Sequence, residues 1–279
     1  MFFFEVIKSI ILGVVEGITE WLPISSTGHM ILVDEFITLD VSPEFMEMFL
    51  FVIQLGAIIA VPICFWNRIN PFSKRKSEAE KKSAWKMWCK VVVGVIPAAV
   101  LGVLLDDFFE EHFYNWLVVA LALIIYGIAF LLVENLKAKD GYRVESIDDL
   151  TYADAMKIGA FQVLAIVPGT SRSGSTILGG MLSGVSRSVS AEFSFYMAMP
   201  VMLGASGIKI LKFVLKGYSA SPNEIFLLAV GTIVAFAVSL FAIKFLMNFV
   251  KRHDFKPFGV YRIVLGFIVI GYFVIKSIV

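Results

Sequence analysis

The chain has 279 residues, 58% hydrophobic, 14% aromatic and 17% charged, against about 45–50% apolar and about 25% charged in an ordinary soluble domain. That surplus of apolar surface excludes a soluble globular enzyme and makes a bilayer the solvent. A net charge of +1 excludes a basic field for nucleic acid, and the two cysteines, Cys64 and Cys89, have neither disulfide-framework nor metal spacing.

The N-terminus, Met1-Phe-Phe-Phe-Glu5, lacks the basic region of a secretory signal and is expected to stay in the mature protein. Six stretches are long and apolar enough to span a membrane: 44–66, 91–107, 116–135, 190–213, 223–247 and 257–276. Pro62, Pro97 and Pro200 lie inside them and read as kinks. Two further apolar stretches are interrupted halfway by small polar residues, Pro23-Ile-Ser-Ser-Thr-Gly28 and Pro168-Gly-Thr-Ser-Arg-Ser-Gly174. Each predicts two half-helices around a loop, the device with which membrane proteins build polar sites at depth.

The two interruptions repeat each other. Gly13, Ser25, Gly28, Ile31 and Leu32 align at one constant offset with Gly159, Ser171, Gly174, Ile177 and Leu178. After a short slip, Ser42, Glu44, Phe45, Leu55, Gly56, Ala57 and Phe65 align with Ser190, Glu192, Phe193, Leu203, Gly204, Ala205 and Phe213. The expectation is therefore an all-α integral membrane protein made of an inverted repeat, with six transmembrane helices plus two re-entrant helical hairpins. The first repeat covers 1–136 with its hairpin at 1–37, a cytoplasmic linker covers 137–156, and the second repeat covers 157–279 with its hairpin at 157–186. Loop 67–90 carries Arg68, Lys74, Arg75, Lys76, Lys81, Lys82, Lys86 and Lys90; loop 136–157 carries Lys137, Lys139, Arg143 and Lys157; loop 248–256 carries Lys251, Arg252 and Lys256. Loops 37–43 and 108–115 carry no Lys or Arg, and 214–222 has Lys216 alone. The positive-inside rule then makes the first three cytoplasmic and leaves both termini outside.

Glu16 and Glu20 stand one helical turn apart, on the face that leads to the first interruption, and acids at that depth face a cavity, a partner or a cation. Ser25, Ser26 and Thr27 offer hydroxyls there, Gly28 allows close backbone approach, and His29 follows; hydroxyl, imidazole and carboxylate are the groups of an activated nucleophile and a general acid or base. In the second interruption Arg172 is the only charged residue between Lys157 and Arg187, set among Gly169, Thr170, Ser171, Ser173, Gly174, Ser175 and Thr176. A Gly- and hydroxyl-rich loop that opens a helix and carries an arginine suits an oxyanion. The repeat aligns Ser26 with Arg172 and Glu16 with Gln162, so one half supplies nucleophile-type groups and the other anion-binding ones.

Gly13-Val-Val-Glu-Gly-Ile-Thr-Glu20, Leu22-Pro-Ile-Ser-Ser-Thr-Gly-His-Met30 and Pro168-Gly-Thr-Ser-Arg-Ser-Gly-Ser-Thr176 make the chain resemble the undecaprenyl-diphosphate phosphatases of the bacitracin-resistance type. Val52-Ile-Gln-Leu-Gly56 and Gly184-Val-Ser-Arg-Ser188 add to the likeness, which covers nearly the whole chain. The resemblance implies an enzyme of the bacterial plasma (inner) membrane that hydrolyses undecaprenyl diphosphate to undecaprenyl phosphate and inorganic phosphate, recycling the lipid carrier of cell-wall synthesis. It implies that Glu16 and Glu20 hold a divalent cation, Mg²⁺ or Ca²⁺, that Arg172 clamps the diphosphate, and that Ser26 or His29 attacks it. Thr27 and Ser171, with Gly169, Ser173 and Thr176 of the same loops, would hold the phosphates. Ser26 is the preferred nucleophile with His29 as its proton partner; a phosphohistidine on His29 is the alternative. The expected partners are the polyprenyl diphosphate and the bilayer, with a homodimer allowed and no nucleic acid, and the site opens to the outer face. The rival reading of an inverted repeat with broken helices is a secondary transporter or flippase of a phosphorylated lipid or anion. The topology is tested by cysteine-accessibility labelling, in which positions in 70–85 should be shielded from the outside and positions in 108–115 exposed; the reverse pattern would overturn it.

Overall fold

Serine and asparagine caps start most of the helices, and tertiary packing decides which of them reach the middle of the molecule. A computed structural model describes residues 2–278; positions 1 and 279, the outermost of the two expected halves, lie outside the described residues. The helices are α1 (Phe2–Thr19), α2 (Ser26–Asp34), α3 (Pro43–Ile69), α4 (Glu78–Phe113), α5 (Trp116–Asp140), α6 (Tyr152–Gln162), α7 (Arg172–Leu182), α8 (Arg187–Leu215), α9 (Pro222–Phe249) and α10 (Lys256–Ile278), with 3₁₀ turns at Ile147–Asp149 and Val163–Ile166. Among the described residues the one β-type pairing is an isolated bridge between Val144 and Val185. Helices α3, α4, α5, α8, α9 and α10 are long and apolar enough to cross a membrane, so the protein is an all-α integral membrane protein.

The helix bounds correct one expectation. Residues 78–90, read as loop, are helical, because Ser77 and Glu80 form a reciprocal capping box that starts α4 well before its apolar stretch. The same helix runs on to Phe113, so most of the short loop expected at 108–115 is helical too. Pro97 and Pro200 are absorbed within α4 and α8, whereas the turn after Pro62 leaves helical geometry at Phe65 (φ −116°, ψ 18°).

Two sets of contacts define the ends of the bundle. At one end, Lys8 bonds the carbonyl of Thr38, Glu5 accepts from the amide of Asp40, and Lys276 and Tyr272 meet Glu35. At the other, Arg68 pairs with Asp148, Arg143 with Asp154, and Arg187 with Glu134, whose carboxylate also accepts from the amide of Phe255. The chain thus enters along α1 and returns by α2 to the end it left. It enters along α6 and returns by α7 to the opposite end, where the amides of Arg143 and Val144 bond the carbonyl of Gly184. The arrangement is compatible with two oppositely directed re-entrant hairpins.

Each hairpin packs on a long helix of the other half, α1 on α9 and α6 on α4. Glycines permit the approach. A Cβ on Gly159 would sit 2.0 Å from the carbonyl oxygen of Gly94, and one on Gly13 would sit 2.6 Å from that of Gly231. Serine hydroxyls add interhelical bonds, from Ser9 to the carbonyl of Leu227 and from Ser239 to that of Gly17. The outward faces are apolar and exposed, as on α4 at Val92, Ile96, Val100, Val103 and Leu104, which is the surface that lipid covers. Gly159→Ala should therefore lower unfolding stability by about 1–3 kcal/mol through overpacking. Gly102→Ala, where nothing lies within 4 Å of the new methyl, should leave it unchanged or raise it by up to about 1 kcal/mol. Thermal unfolding in detergent separates the two, and equal effects would contradict the packing described.

Candidate active site

The two interruptions have the same local geometry. Among the described residues, Ser25 and Ser171 are the non-glycine residues with positive φ, 72° and 73°, a conformation that costs about 1–3 kcal/mol at an ordinary side chain. Each is the N-cap of the helix that follows. Ser25 Oγ accepts from the amide of Gly28 at 3.2 Å, and Ser171 Oγ accepts from that of Gly174 at 3.1 Å. Helices α2 and α7 therefore start from the same turn, in which the next side chain, Ser26 or Arg172, is thrown toward the centre.

These two side chains meet on one carboxylate. Glu20 Oε1 accepts from Arg172 Nη2 at 2.8 Å, and Glu20 Oε2 accepts from Ser26 Oγ at 3.2 Å. The ion pair is close to dry, with the side chains 12% and 9% exposed, a setting in which removing either partner leaves an uncompensated charge. Arg172 is held from behind: Nη1 donates to the carbonyl of Ser194 at 2.8 Å, and its guanidinium lies 5.9 Å from the ring of Trp21. Ser173 Oγ donates to the carbonyls of Glu20 and Leu22, which ties the second loop to the first.

Several polar atoms here are buried without a partner in the protein: Glu16 Oε1, Trp21 Nε1, Arg172 Nε and both amide atoms of Gln162. Buried polar groups are normally satisfied, so such a set is what a site leaves for ligand or ordered water. Among the described residues no three His, Cys, Asp or Glu side chains gather as a metal-binding group. Glu16, with its unengaged oxygen, and Glu20 are the carboxylates that fit a cation needing one or two protein ligands and completing its shell with water and phosphate oxygens, the habit of Mg²⁺.

The structure distributes the other expected residues differently. His29 is not on Ser26. Its Nδ1 lies 2.7 Å from the carbonyl of Ser25, so that Nδ1–H donates and Nε2, 2.7 Å from Tyr261 Oη, accepts; the rings stack at 5.6 Å. The reason is local, since a carbonyl one turn back is the nearest acceptor; Ser175 Oγ, the aligned residue, makes the same bond to the carbonyl of Ser171. Thr176 Oγ1 donates to the carbonyl of Arg172 and meets Ser194 Oγ at 2.7 Å, so it braces the arginine. Gly169 (φ 86°) lies against the backbone of Val119, where a Cβ would come within 2.6 Å of its carbonyl oxygen. Thr27 is half-buried in the first turn of α2.

Arg262 belongs to neither motif, yet it joins the two loops. It is fully buried on α10 and donates to the carbonyls of Pro23 (3.2 Å), Gly169 (3.0 Å) and Thr170 (3.0 Å), with Tyr126 beneath its guanidinium at 5.4 Å. A sequence signal for it existed: it is the sole charged residue between Lys256 and Lys276, in the middle of a span. Ser194 and Tyr261, by contrast, sit in unremarkable helical sequence.

A family model described as bacitracin resistance protein BacA matches residues 9–268. The chain is 56% identical over 272 residues to an undecaprenyl-diphosphatase of Enterococcus faecalis, covering 98% of this chain and 99% of the relative. It is 55% identical over 269 residues to that of Acetivibrio thermocellus, covering 96% and 98%, and 53% identical over 278 residues to that of Streptococcus gordonii, covering 99% of each.

Replacing Arg262 by Met leaves carbonyls of both loops without a donor and should cost on the order of 3 kcal/mol. Arg262→Lys should recover only part of this, because one ammonium cannot reproduce a planar fork that reaches both loops. Thermal unfolding is the measurement, and a Met variant as stable as the parent would contradict the bracing role.

Proposed function

Because this chain belongs to the bacitracin resistance protein BacA family over nearly its whole length, we infer that it is a membrane phosphatase that hydrolyses undecaprenyl diphosphate to undecaprenyl phosphate and inorganic phosphate. The observation that carries the reading on its own residues is the Glu20 carboxylate shared by the Ser26 hydroxyl and the Arg172 guanidinium. A carrier needs an anion site but no nucleophile beside it, so this arrangement favours hydrolysis over transport. The product returns the lipid carrier to cell-wall synthesis.

Arg172 releases part of its hold on Glu20 to bind the diphosphate, for which Nε is already free of partners. Ser26 Oγ attacks the terminal phosphorus. The Oγ–P bond forms, the bridging P–O bond breaks with its electron pair leaving on polyprenyl phosphate, and the hydroxyl proton passes to Glu20 Oε2, its hydrogen-bond partner. Water then attacks the phosphoserine, its protons leaving with inorganic phosphate, while the P–Oγ bond breaks with its electron pair on Oγ, which takes its proton back from Glu20. Glu16 and Glu20 would hold a divalent cation, which when bound neutralises charge developing on the phosphate oxygens. His29, engaged by Ser25 and Tyr261, orients the turn that presents Ser26. The prenyl tail stays in lipid, since each CH₂ kept from water is worth about 0.8 kcal/mol, and the headgroup reaches the site from the outer face.

Phosphate release from detergent-solubilised protein should fall by about 10²-fold or more in kcat for Arg172→Ala and Glu20→Ala. A chelator should abolish it, with recovery on adding Mg²⁺ or Ca²⁺. Trapping the phosphoenzyme separates the nucleophiles: an acid-stable adduct lost in Ser26→Ala is expected. An acid-labile, base-stable adduct lost in His29→Ala would move the attack to His29 while leaving the phosphatase intact.

A further inference from the structure

The kink of α3 at Phe65 is followed by a groove that the reaction does not use. It has a volume of about 350 Å³ and is apolar, lined by Pro62, Trp66, Phe72, Trp85, Trp88 and Met199. Its wall is fixed: Trp88 Nε1 donates to the carbonyl of Ile69 at 2.9 Å, and Phe72 meets Trp85 edge-on at 5.5 Å. Trp66, Phe72 and Trp85 are nevertheless half exposed or more. Aromatic side chains of this kind at a helix end mark the level of lipid headgroups.

The segment that supplies most of this groove's aromatic wall is cationic and largely uncompensated. Segment 67–90 carries Arg68, Lys74, Arg75, Lys76, Lys81, Lys82, Lys86 and Lys90 against the acids Glu78 and Glu80. Glu80 is spent on the capping box, Glu78 pairs with Lys81, Arg68 pairs with Asp148 and Glu192, and Lys76 caps α3 through the carbonyls of Arg68 and Asn70. Among the described residues Lys74, Arg75, Lys82 and Lys86 have no carboxylate partner, and all four are exposed. Lys74 and Arg75 follow Phe72 after Ser73, and Lys82 lies one helical turn before Trp85 and Lys86, so the charges flank the aromatic wall along the chain.

We propose that this groove holds an acyl chain of an anionic phospholipid whose headgroup is bound by Lys74, Arg75, Lys82 and Lys86. A soluble anion would make no use of the aromatic wall, and a zwitterionic lipid would bring its own cation to a segment already positive. The enzyme's own lipid must bring its phosphates to Arg172, whereas this segment stands at the end of the bundle. The proposal is independent of the phosphatase reading.

The test uses the full chain in phosphatidylcholine nanodiscs that contain a small, equal fraction of dibrominated phosphatidylglycerol or dibrominated phosphatidylcholine, with tryptophan fluorescence as readout. Bromine quenches on contact, and Trp66, Trp85 and Trp88 line the groove. Half-maximal quenching should need at least about 5-fold less of the anionic lipid, the ratio that a single interfacial cation supplies at about 1 kcal/mol. The preference should vanish in the Lys74→Gln, Arg75→Gln, Lys82→Gln, Lys86→Gln variant, with a thermal unfolding midpoint in detergent close to the parent's reporting that this variant is folded. Equal quenching by the two lipids in the parent would overturn the proposal. So would a preference that survives the four substitutions, or one that survives Trp66→Phe, Trp85→Phe, Trp88→Phe and so arises elsewhere. Displacement by undecaprenyl phosphate more effectively than by unbrominated phosphatidylglycerol would assign the groove to the enzyme's own lipid instead.

Discussion

Backbone carbonyls that leave helical geometry inside a membrane protein have no water to turn to, and Arg262 takes on those of both broken segments at once. Its donors reach Pro23 in one loop and Gly169 and Thr170 in the other. An unsatisfied carbonyl at that depth costs several kcal/mol, so this side chain adds to the Ser173 bonds and the Glu20–Arg172 pair that hold the two loops together. A buried guanidinium is itself costly, and the carbonyl shell together with the Tyr126 face is what offsets it. The loops then define the positions of everything that touches the reaction.

The second buried ion pair works differently. Glu20 and Arg172 come from separate halves of the chain, and each has further bonds to the loops or to α8. Breaking such a pair strands a charge, which makes it a poor place for drift and a good place for a pre-set electrostatic site. On the proposed reading a diphosphate would offer Arg172 a second anion while part of its bond to Glu20 is kept, and the proposed divalent cation would compensate the rest of the Glu20 charge.

The halves share a turn but not a chemistry. Ser25 and Ser171 adopt the same left-handed conformation and cap their helices in the same way. The next residue is a hydroxyl in one case and a guanidinium in the other, and the aligned position in the preceding half-helix is Glu16 in one and Gln162 in the other. Identical geometry aims both side chains at one point, and the difference in residue type brings a hydroxyl and a guanidinium to one carboxylate. The glycine contacts of α1 with α9 and of α6 with α4 hold the aim, since each hairpin leans on the opposite half.

The spans are legible in the sequence because six apolar runs carry their own signal, and so are the loops, because small polar residues rarely sit at membrane depth unless they line a buried site. Glu16, Glu20, Ser26 and Arg172 stand out for the same reason: charge and hydroxyls are expensive there and seldom idle. The start of α4 is not legible, since a capping box in a charged segment carries no hydropathy signal. Arg262 escapes a motif-based reading although it is alone in its span, because its partners are carbonyls, which have no residue code. The Nε2 partner of His29 is decided only by tertiary structure. Proximity in sequence to Ser26 suggests one hydrogen bond, while the carbonyl of Ser25 and the hydroxyl of Tyr261, 232 positions away, offer two better ones. Sequence by itself determined which chemistry was present and at what depth. Which groups share a carboxylate depends on how α1, α7, α8 and α10 converge, and that is a property of packing across the two halves that no local pattern encodes.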